Sequence, residues 1–228
     1  MNIFKRKNKF TETPVPGSVS EEYFYRMLSP YALKYSAPYN IEEESALKEL
    51  LSKNSFKDNT SLAVIGCGDL WYVDLARRYN MGYVAVEPLI DIFVNKYIQS
   101  LINSFGNIYL IKSKFGEINS NSLPSGNLLW VFTFNILAYI ENPIEHINKY
   151  LRQGDILFIS SWCQNKEAKY VRKEYFDYLN SFEREVVINP EETIGLCKLD
   201  IFPFNELKYY KTHIRIKGKI TDVLIIYT

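Results

Sequence analysis

This sequence has almost no excess of positive over negative charge, and it has few cysteines. Each of these shortages excludes a class of protein. The 228 residues include 27 Lys and Arg against 26 Asp and Glu, a formal net charge of +1. Because no overall field draws the surface to a polyanion, this balance argues against a nucleic-acid partner. Cys67, Cys163 and Cys197 are too scattered for a disulfide framework or a zinc site. The sequence predicts a cytoplasmic protein without a metal site.

Long hydrophobic runs are also missing. The longest nearly apolar stretch, residues 128–140, is interrupted by Thr133 and Asn135 and is shorter than the roughly 20 residues that a membrane helix needs. The basic residues 1–10 are not followed by the apolar segment of a secretory signal. Hydrophobic residues make up 47% of the chain, which is typical of a globular domain. We therefore expect no membrane partner.

The first quarter of the chain differs in pattern from the rest. Residues 1–17 are basic and then rich in Thr and Pro, without an apolar period, which predicts a flexible tail. Residues 18–54 carry two helical patterns. Asn40, with Glu43 three residues later, resembles a capping box and predicts that the second helix begins there. Residues 55–228 are predicted to form one α/β domain.

Short apolar runs alternate with helical periods from residue 62 onward. Strands that are apolar on both faces and separated by helices indicate a parallel sheet covered on both sides. The runs 207–216 and 220–227 follow each other without a helix, which indicates an antiparallel hairpin. The sequence therefore predicts a doubly wound α/β fold, with a mostly parallel seven-stranded sheet that ends in this hairpin and with N-terminal helices.

A glycine-containing turn follows the first predicted strand. Gly66 and Gly68 allow the backbone to approach a ligand, and the next helix offers unpaired N–H groups. Cys67, between them, is interpreted as a small filler. Nineteen residues after Gly68, Glu87 ends the second strand, where a carboxylate can accept both hydroxyls of a ribose. Together these features predict an adenosine site.

The segment Val64-Ile65-Gly66-Cys67-Gly68, followed by Glu87, resembles motif I and the second-strand acid of class I S-adenosylmethionine-dependent methyltransferases. The resemblance covers roughly residues 61–228. It implies a Rossmann-like methyltransferase fold, S-adenosyl-L-methionine as cofactor, and methyl transfer to an oxygen or nitrogen of a small-molecule acceptor. It assigns the cofactor contacts to Gly66, Cys67, Gly68, Glu87, Pro88, Leu89, Lys114, Phe115 and Phe134.

Candidate catalytic residues follow the fourth strand, where residues 132–139 resemble motif IV, the meeting place of methyl group and acceptor. Asn135 interrupts an apolar run there, and a buried amide needs hydrogen-bond partners, so we predict a role for Asn135 in the site. Tyr139 and His213 are the candidates for a general base. His213 shares one face of a predicted outer strand with Arg215, and protection of the sheet edge explains that face equally well.

Two other functions are compatible with parts of this pattern. A nicotinamide-dependent oxidoreductase is disfavoured because Trp71 occupies the last small-residue position of the G-x-G-x-x-G fingerprint. Val64 stands where an acidic residue often ends the first strand in the family, and Leu70 replaces the third glycine. These departures leave open a non-catalytic protein of the same fold that binds the cofactor or a partner.

The aromatic residues of the N-terminal helical segment suggest a role beside the site. Ligands of open α/β sheets bind outside the carboxyl ends of the strands, and an additional helix can close that crevice and exclude water. We predict that residues 18–54 cover the acceptor pocket, with Tyr23, Phe24, Tyr35 and Tyr39 as its apolar lining. Packing against the side of the sheet is the alternative.

Overall fold

The computed structural model describes residues 30–54, 56, 59–68, 70–90, 99–100, 103–104, 106–140, 142–181 and 198–228. The predicted tail (1–17), the first N-terminal helix with Tyr23 and Phe24, and most of the helical period at residues 94–101 lie outside the described residues.

Helices and strands alternate through the described residues, as the hydrophobic runs predict. The helices are α1 (Pro30–Lys53), α2 (Val73–Arg78), α3 (Pro143–Tyr150) and α4 (Lys166–Asn180). The strands are β1 (Ser61–Ile65), β2 (Gly82–Val86), β3 (Ile108–Ile111), β4 (Leu128–Phe132), β5 (Ile156–Trp162), β6 (Thr212–Lys217) and β7 (Thr221–Tyr227). Short 3-10 turns follow several of the strands.

The seven strands form one sheet in the order β3-β2-β1-β4-β5-β7-β6. The first five in this order are mutually parallel, and β7 is antiparallel to both β5 and β6. The predicted doubly wound sheet with its antiparallel hairpin is confirmed. Strand order reverses direction between β1 and β4, so the carboxyl edge at this point is the expected ligand crevice.

The core lies on both faces of the sheet. On one face Trp130 and Phe132 pack with Ile147 and Tyr150 of the α3 layer. On the other face the side chains of β1, β4 and β5 pack with α2 and with the second half of α1. Strands enclosed in this way are buried along their whole length, which explains the continuous apolar runs in the sequence.

Helix α1 is longer than its sequence indicates. The predicted start at Asn40 is wrong: the helix is continuous from Pro30 to Lys53, and the Asn40 amide donates to the Ser36 hydroxyl one turn earlier, at 3.2 Å. Pro38 removes one helical hydrogen bond. Burial of the helix by its neighbours offsets this loss, because tertiary packing supplies most helical stability in proteins.

The two halves of α1 have different surroundings. In the second half, Leu47 and Leu50 are buried against the sheet face. In the first half, Tyr39 is fully buried against Trp162, which ends β5, at a ring-centroid distance of 4.5 Å. The side of the sheet and its carboxyl edge are therefore both covered by the same helix.

Two strands are shorter than predicted because the backbone turns left-handed. Strand β4 ends at Phe132, since Phe134 has a φ of 45°. Strand β6 begins only at Thr212, since Tyr209 has a φ of 61°. Asn142 precedes α3, its φ of 47° places it in the left-handed region, and its side chain makes no capping hydrogen bond.

Candidate functional site at the carboxyl edge of the sheet

The turn after β1 has an unusual backbone. Gly66 and Gly68 have φ values of 69° and 51°, and Leu70 and Tyr72 both have a φ of 67°. Left-handed conformations cost a side-chain-bearing residue roughly 1–2 kcal/mol, so this turn stores strain at two positions. A Cβ on Gly66 would lie 3.0 Å from Ile136, so this glycine allows the chain after β4 to approach.

Glu87 lies directly beside this turn. Its side chain is only 5% exposed, and its Oε1 accepts a hydrogen bond from the Leu89 N–H at 3.2 Å. The Gly68 N–H also donates to its carboxylate. Burial raises the pKa of Glu87 from 4.5 to about 7, although both hydrogen bonds act in the opposite direction. The structure thus brings together the two residues that predicted the adenosine site.

The other proposed adenosine contacts differ in accessibility. Pro88 and Lys114 are half-buried at the ends of their loops, and Leu89 is 1% exposed. The ring of Phe115 lies in the core, 5.2 Å from the ring of Phe132 and 5.8 Å from that of Trp130. A cofactor contact through the Phe115 side chain is therefore not supported, because a motif position defines where the backbone lies and not where the ring points.

Buried polar groups mark the end of β4. Asn135 is 1% exposed, has a φ of 59°, and its Oδ1 accepts from the Ser161 hydroxyl at 3.0 Å. The Thr133 hydroxyl donates to the Ile65 carbonyl at 3.3 Å and so connects the end of β4 with the end of β1. The predicted hydrogen-bond partner for Asn135 is thus present on the neighbouring strand β5.

Phe134 is the centre of an aromatic cluster beside these polar groups. Its ring is half-buried, and its neighbours come from α1, the turn after β1, β5 and α4. The ring centroids nearest to it belong to Tyr39 (4.8 Å), Tyr175 (5.2 Å), Trp162 (5.6 Å) and Trp71 (6.1 Å). The cluster gives this part of the carboxyl edge an apolar wall.

Glu43 is a candidate site residue that sequence reasoning missed. It belongs to α1, is fully buried, and its Oε2 accepts the Phe134 N–H at 2.7 Å and the Ser160 hydroxyl. Its Oε1 accepts the Tyr72 hydroxyl. Burial raises the pKa of Glu43, while the three hydrogen bonds act in the opposite direction. One carboxylate thus connects α1, the turn after β1, β4 and β5.

The sequence does contain a signal for Glu43. Tyr39, Glu43 and Leu47 are spaced four residues apart, so they lie on one face of a helix, and the other two are apolar and fully buried. A carboxylate on an apolar helix face is rarely buried unless it has partners. The capping-box interpretation concealed this pattern.

The two candidate bases named from the sequence are placed differently. Tyr139 ends the 3-10 turn Ile136–Tyr139 after β4, at the carboxyl edge. His213 pairs with Ile226 near the start of β6, and Ile226 pairs with Leu157 near the start of β5. His213 therefore lies toward the amino edge, on the outermost strand, and the structure does not bring it to the site.

His213 also has local partners. Its ring stacks on Phe204 at a centroid distance of 4.1 Å, and its Nδ1 lies 2.9 Å from the Tyr210 hydroxyl. On the same strand, the Arg215 guanidinium forms ion pairs with Asp200 and Asp222. These contacts fit the structural explanation of this strand face.

The two departures from the family motif are compatible with the geometry. Leu70 keeps a left-handed backbone, and its side chain is 2% exposed in the core that also contains Val64. Phe158 of β5 packs in the same core as Val64, and Ser160 is two residues after Phe158. Because side chains two residues apart on a strand point to the same face, Ser160 lies on the same face of the sheet as Val64. Glu43 hydrogen-bonds to Ser160, so the carboxylate on this face comes from α1.

At the carboxyl edge of the sheet, two carboxylates that can accept hydrogen bonds lie among apolar side chains and left-handed backbone. Among the residues that the structure describes, no group of three or more His, Cys, Asp or Glu residues is placed to hold a metal ion. In the same part of the chain, no helix combines the length and hydropathy needed to cross a membrane. The Glu87 carboxylate can accept hydrogen bonds from hydroxyl groups, and the Glu43 carboxylate can take up a proton.

No protein-family model matches the sequence, and no curated protein matches it significantly. Many solved structures resemble its fold. An S-adenosylmethionine-dependent methyltransferase from Aquifex aeolicus is 17% identical and has a TM-score of 0.52 over 89% of this chain and 95% of that chain.

Two further structures are similar at lower scores. The precorrin-6y C5,15-methyltransferase from Geobacter metallireducens is 15% identical, with a TM-score of 0.40 over 78% of this chain and 85% of that chain. A variant of the 16S rRNA (adenine(1408)-N(1))-methyltransferase from Catenulisporales acidiphilia is 11% identical, with a TM-score of 0.45 over 74% and 84%. The Aquifex protein supports the conclusion that this chain has the fold of class I S-adenosylmethionine-dependent methyltransferases.

Proposed function

We propose that the protein is an S-adenosylmethionine-dependent methyltransferase that transfers a methyl group to an oxygen or nitrogen of a small-molecule acceptor. The observation that carries this proposal is the position of Glu87. Its buried carboxylate lies beside the Gly68 N–H at the carboxyl edge, where strand order reverses. The antiparallel β7 next to β5 further favours a methyltransferase over a nicotinamide-dependent oxidoreductase.

The residues at this edge fit the cofactor. A carboxylate has about four lone-pair positions, and Glu87 uses two for the N–H groups of Gly68 and Leu89. Two positions therefore remain for the hydroxyls of a ribose. Pro88 and Leu89 would flank the adenine, Lys114 would lie near its exocyclic amine, and the backbone of Gly66, Cys67, Gly68 and Phe134 would adjoin the rest of the molecule.

S-Adenosylmethionine, when bound, supplies a methyl group that is already activated on a sulfonium. The protein then has to orient the acceptor, exclude water and remove a proton. Orientation in favourable systems is worth about 7–11 kcal/mol. Tyr39 and the aromatic cluster around Phe134 provide an apolar, partly enclosed wall for this purpose. This enclosure supports a small acceptor, and we propose that the first half of α1 is part of the cover predicted for residues 18–54.

Isothermal titration tests the cofactor. S-Adenosylmethionine and S-adenosylhomocysteine should both bind, whereas NAD⁺ should not, because Trp71 occupies the position that a dinucleotide-binding turn reserves for a small residue. Binding of NAD⁺ without the other two ligands would contradict the proposal.

A labelling experiment tests catalysis. Methyl-labelled S-adenosylmethionine is incubated with the enzyme and a fractionated extract of cellular small molecules, and transfer of label is followed by mass spectrometry. We expect a labelled acceptor, and with Glu87→Ala at limiting S-adenosylmethionine its labelling should be much slower. Tight cofactor binding without any transferred label would instead favour the non-catalytic alternative.

A further inference from the structure

Glu43 lies between the two parts of the site that a methyl transfer has to join. The Tyr72 hydroxyl, on the turn that begins at Gly66, donates to its Oε1. The Phe134 N–H, at the end of β4, donates to its Oε2 at 2.7 Å, and the Ser160 hydroxyl donates to the same oxygen. A fully buried carboxylate with three donors is fixed in position and shielded from water.

Of the hydrogen-bonded residues Tyr72 and Glu43, Tyr72 is half-buried and Glu43 is fully buried. Because its only hydroxyl proton is directed to Glu43, its oxygen can interact with a second group only by accepting a hydrogen bond. The backbone at Tyr72 has a φ of 67°, a costly conformation for an aromatic residue. The turn is therefore held in a shape that keeps the phenol against Glu43.

Resting on the proposed function, we propose that Tyr72 and Glu43 form a proton relay that takes the proton of an O–H or N–H acceptor. The acceptor's hydrogen bonds to the Tyr72 oxygen. As the acceptor forms its bond to the methyl carbon, the sulfur–methyl bond breaks and its electron pair stays on sulfur. The acceptor's proton moves to the Tyr72 oxygen, and the Tyr72 proton moves to Glu43 Oε1.

This step balances charge within the site. One positive charge on sulfur and one negative charge on Glu43 disappear together, so no net charge remains buried. The electrostatics agree with the geometry: burial raises the pKa of Glu43 and raises the pKa of Tyr72 well above its ordinary value. Tyr72 thus passes a proton on and does not ionise by itself, whereas Glu43 holds a proton readily.

Other titratable or charged groups on the elements around Glu43 are Tyr39 and Glu44 of α1, Cys163 after β5, Arg172 of α4, and the pair of Arg215 and Asp222 on the hairpin. None of these provides one of the three hydrogen bonds that Glu43 accepts. Its protonation should therefore respond mainly to the positive charge of the methyl donor.

The test compares proton release when the two forms of the cofactor bind. Calorimetric titrations at several pH values between about 5 and 8, in buffers of different ionisation enthalpy, count the protons released. Both ligands engage Glu87 in the same way, so its contribution cancels. Only S-adenosylmethionine carries the sulfonium, which favours the ionised form of Glu43. We expect its binding to release more protons than the binding of S-adenosylhomocysteine, with a difference of up to about one proton.

Three variants make this result specific. The difference in proton release should vanish in Glu43→Gln and persist in Glu49→Gln, which neutralises an exposed carboxylate on the same helix. Ser160→Ala keeps the Glu43 carboxylate but removes one hydrogen bond that stabilises its ionised form, which raises the pKa of Glu43 further. The difference in proton release between the two ligands should therefore extend to higher pH. This third variant keeps the test decisive if Glu43→Gln does not fold.

Transfer to the labelled acceptor tests the relay itself. Tyr72→Phe should lower the rate about 100-fold or more, with the affinity for S-adenosylmethionine within about threefold of wild type. Tyr79→Phe, which also removes a tyrosine hydroxyl after the same turn, should have no such effect.

The failures are distinguishable. If S-adenosylmethionine does not bind at all, the proposed function is wrong. If it binds with the same proton release as S-adenosylhomocysteine, or if the difference persists in Glu43→Gln, the methyltransferase proposal stands and the relay is overturned. An unchanged rate in Tyr72→Phe also overturns the relay.

Discussion

At the amino edge of the sheet, the donors to Asp155 lie 3 to 27 residues away in sequence, whereas at the carboxyl edge the donors to Glu43 lie 29 to 117 residues away. Asp155 is fully buried and accepts the N–H groups of Leu128 (2.8 Å), Arg152 (3.0 Å) and the Trp130 indole (3.0 Å). These groups belong to one compact junction between β4 and β5. At the opposite edge, Glu43 joins α1 to the turn after β1, to the segment after β4 and to β5.

The backbone shows the same difference. The turns that precede β2 and β5 at the amino edge place Asn80 and Gly154 in the left-handed region, with φ values of 52° and 90°, and these residue types tolerate it. The carboxyl edge places Leu70, Tyr72 and Phe134 there, at a cost of roughly 1–2 kcal/mol each. The comparison teaches that the amino edge is arranged for stability and the carboxyl edge for a defined site geometry.

The largest effect should come from breaking the amino edge. Asp155→Ala leaves three buried N–H groups without their acceptor, so we expect a loss of about 3 kcal/mol or more in the free energy of unfolding. Urea unfolding measures this loss. The folded fraction should still bind S-adenosylhomocysteine within about twofold of wild type, and a selective loss of binding would contradict the division between the edges.

The next effect concerns Gly68 at the carboxyl edge. Gly68→Val adds a branched side chain to a left-handed position where the cofactor has to approach, so affinity for S-adenosylhomocysteine should fall more than about 100-fold. Cys67→Ser should change affinity less than about threefold, because the Cys67 thiol is buried in the core beside Val64 and Leu70. Titration calorimetry checks both variants, and the reverse order of effects would show that Cys67 has a direct role.

Glu87→Ala should have a somewhat smaller effect. It removes charge-assisted hydrogen bonds worth roughly 1.5–3 kcal/mol, so the dissociation constant for S-adenosylhomocysteine should rise about 10–150-fold while the protein stays folded. A circular dichroism spectrum provides the control for folding. An unchanged dissociation constant would rule out the ribose assignment.

The pH dependence of binding sharpens the role of Glu87. Its pKa of about 7 means that the carboxylate becomes protonated as the pH falls through neutrality, which removes acceptor capacity. Affinity for S-adenosylhomocysteine should therefore rise between pH 5.5 and pH 8, and Glu87→Gln should flatten this dependence. An equally steep profile in Glu87→Gln would assign the titration to another group.

The raised pKa of Glu87 has the opposite effect on the stability of the free protein: stability falls, and ligand affinity rises, as the pH increases. The folded state binds a proton at Glu87 that the unfolded chain releases above its ordinary pKa of 4.5. The contribution of Glu87 to the free energy of unfolding is thus present below pH 4.5 and is lost as the pH rises to about 7. Saturating ligand should reduce this loss, which thermal melts at several pH values can measure.

The smallest effect tests strain next to the amino-edge start of the outermost strand, β6. Tyr209 is 52% exposed and has a φ of 61° just before β6. Tyr209→Gly relieves this strain with little loss of burial, so we expect a gain of up to about 1 kcal/mol in stability without any change in ligand affinity. Chemical denaturation checks the gain, and a loss of stability would show that the Tyr209 ring contributes packing.

The sequence predicts those parts of the site that depend on local pattern. The spacing of Gly66, Gly68 and Glu87 predicts their meeting, because each lies at the end of a strand in the same parallel sheet. Glu43 could not be found in this way, since its partners Tyr72, Phe134 and Ser160 are 29, 91 and 117 residues away. A local capping pattern suggested another role for it, and tertiary packing determined the outcome.

The Phe115 ring and His213 lie away from the rest of the candidate site, because sequence pattern does not define direction. A motif places Phe115 after the third strand but does not show that its ring turns into the core. Alternation on a strand gives the face of His213 but not its distance from the carboxyl edge, which depends on where the hairpin turns. The strands β1, β2, β4 and β5 could be predicted from their continuous apolar runs, because burial on both faces of the sheet requires apolar residues at successive positions.

The contact between α1 and the β6–β7 turn has a consequence for the order of folding. The Glu42 carboxylate accepts the N–H groups of Lys219, Ile220 and Thr221, which are 177 to 179 residues away. These partners lie far along the chain from α1, so the contact holds the first half of α1 only once the β6–β7 hairpin is in place. Closing so long a loop is slow. The strained carboxyl edge is therefore completed at the end of folding, after the rest of the sheet can support it.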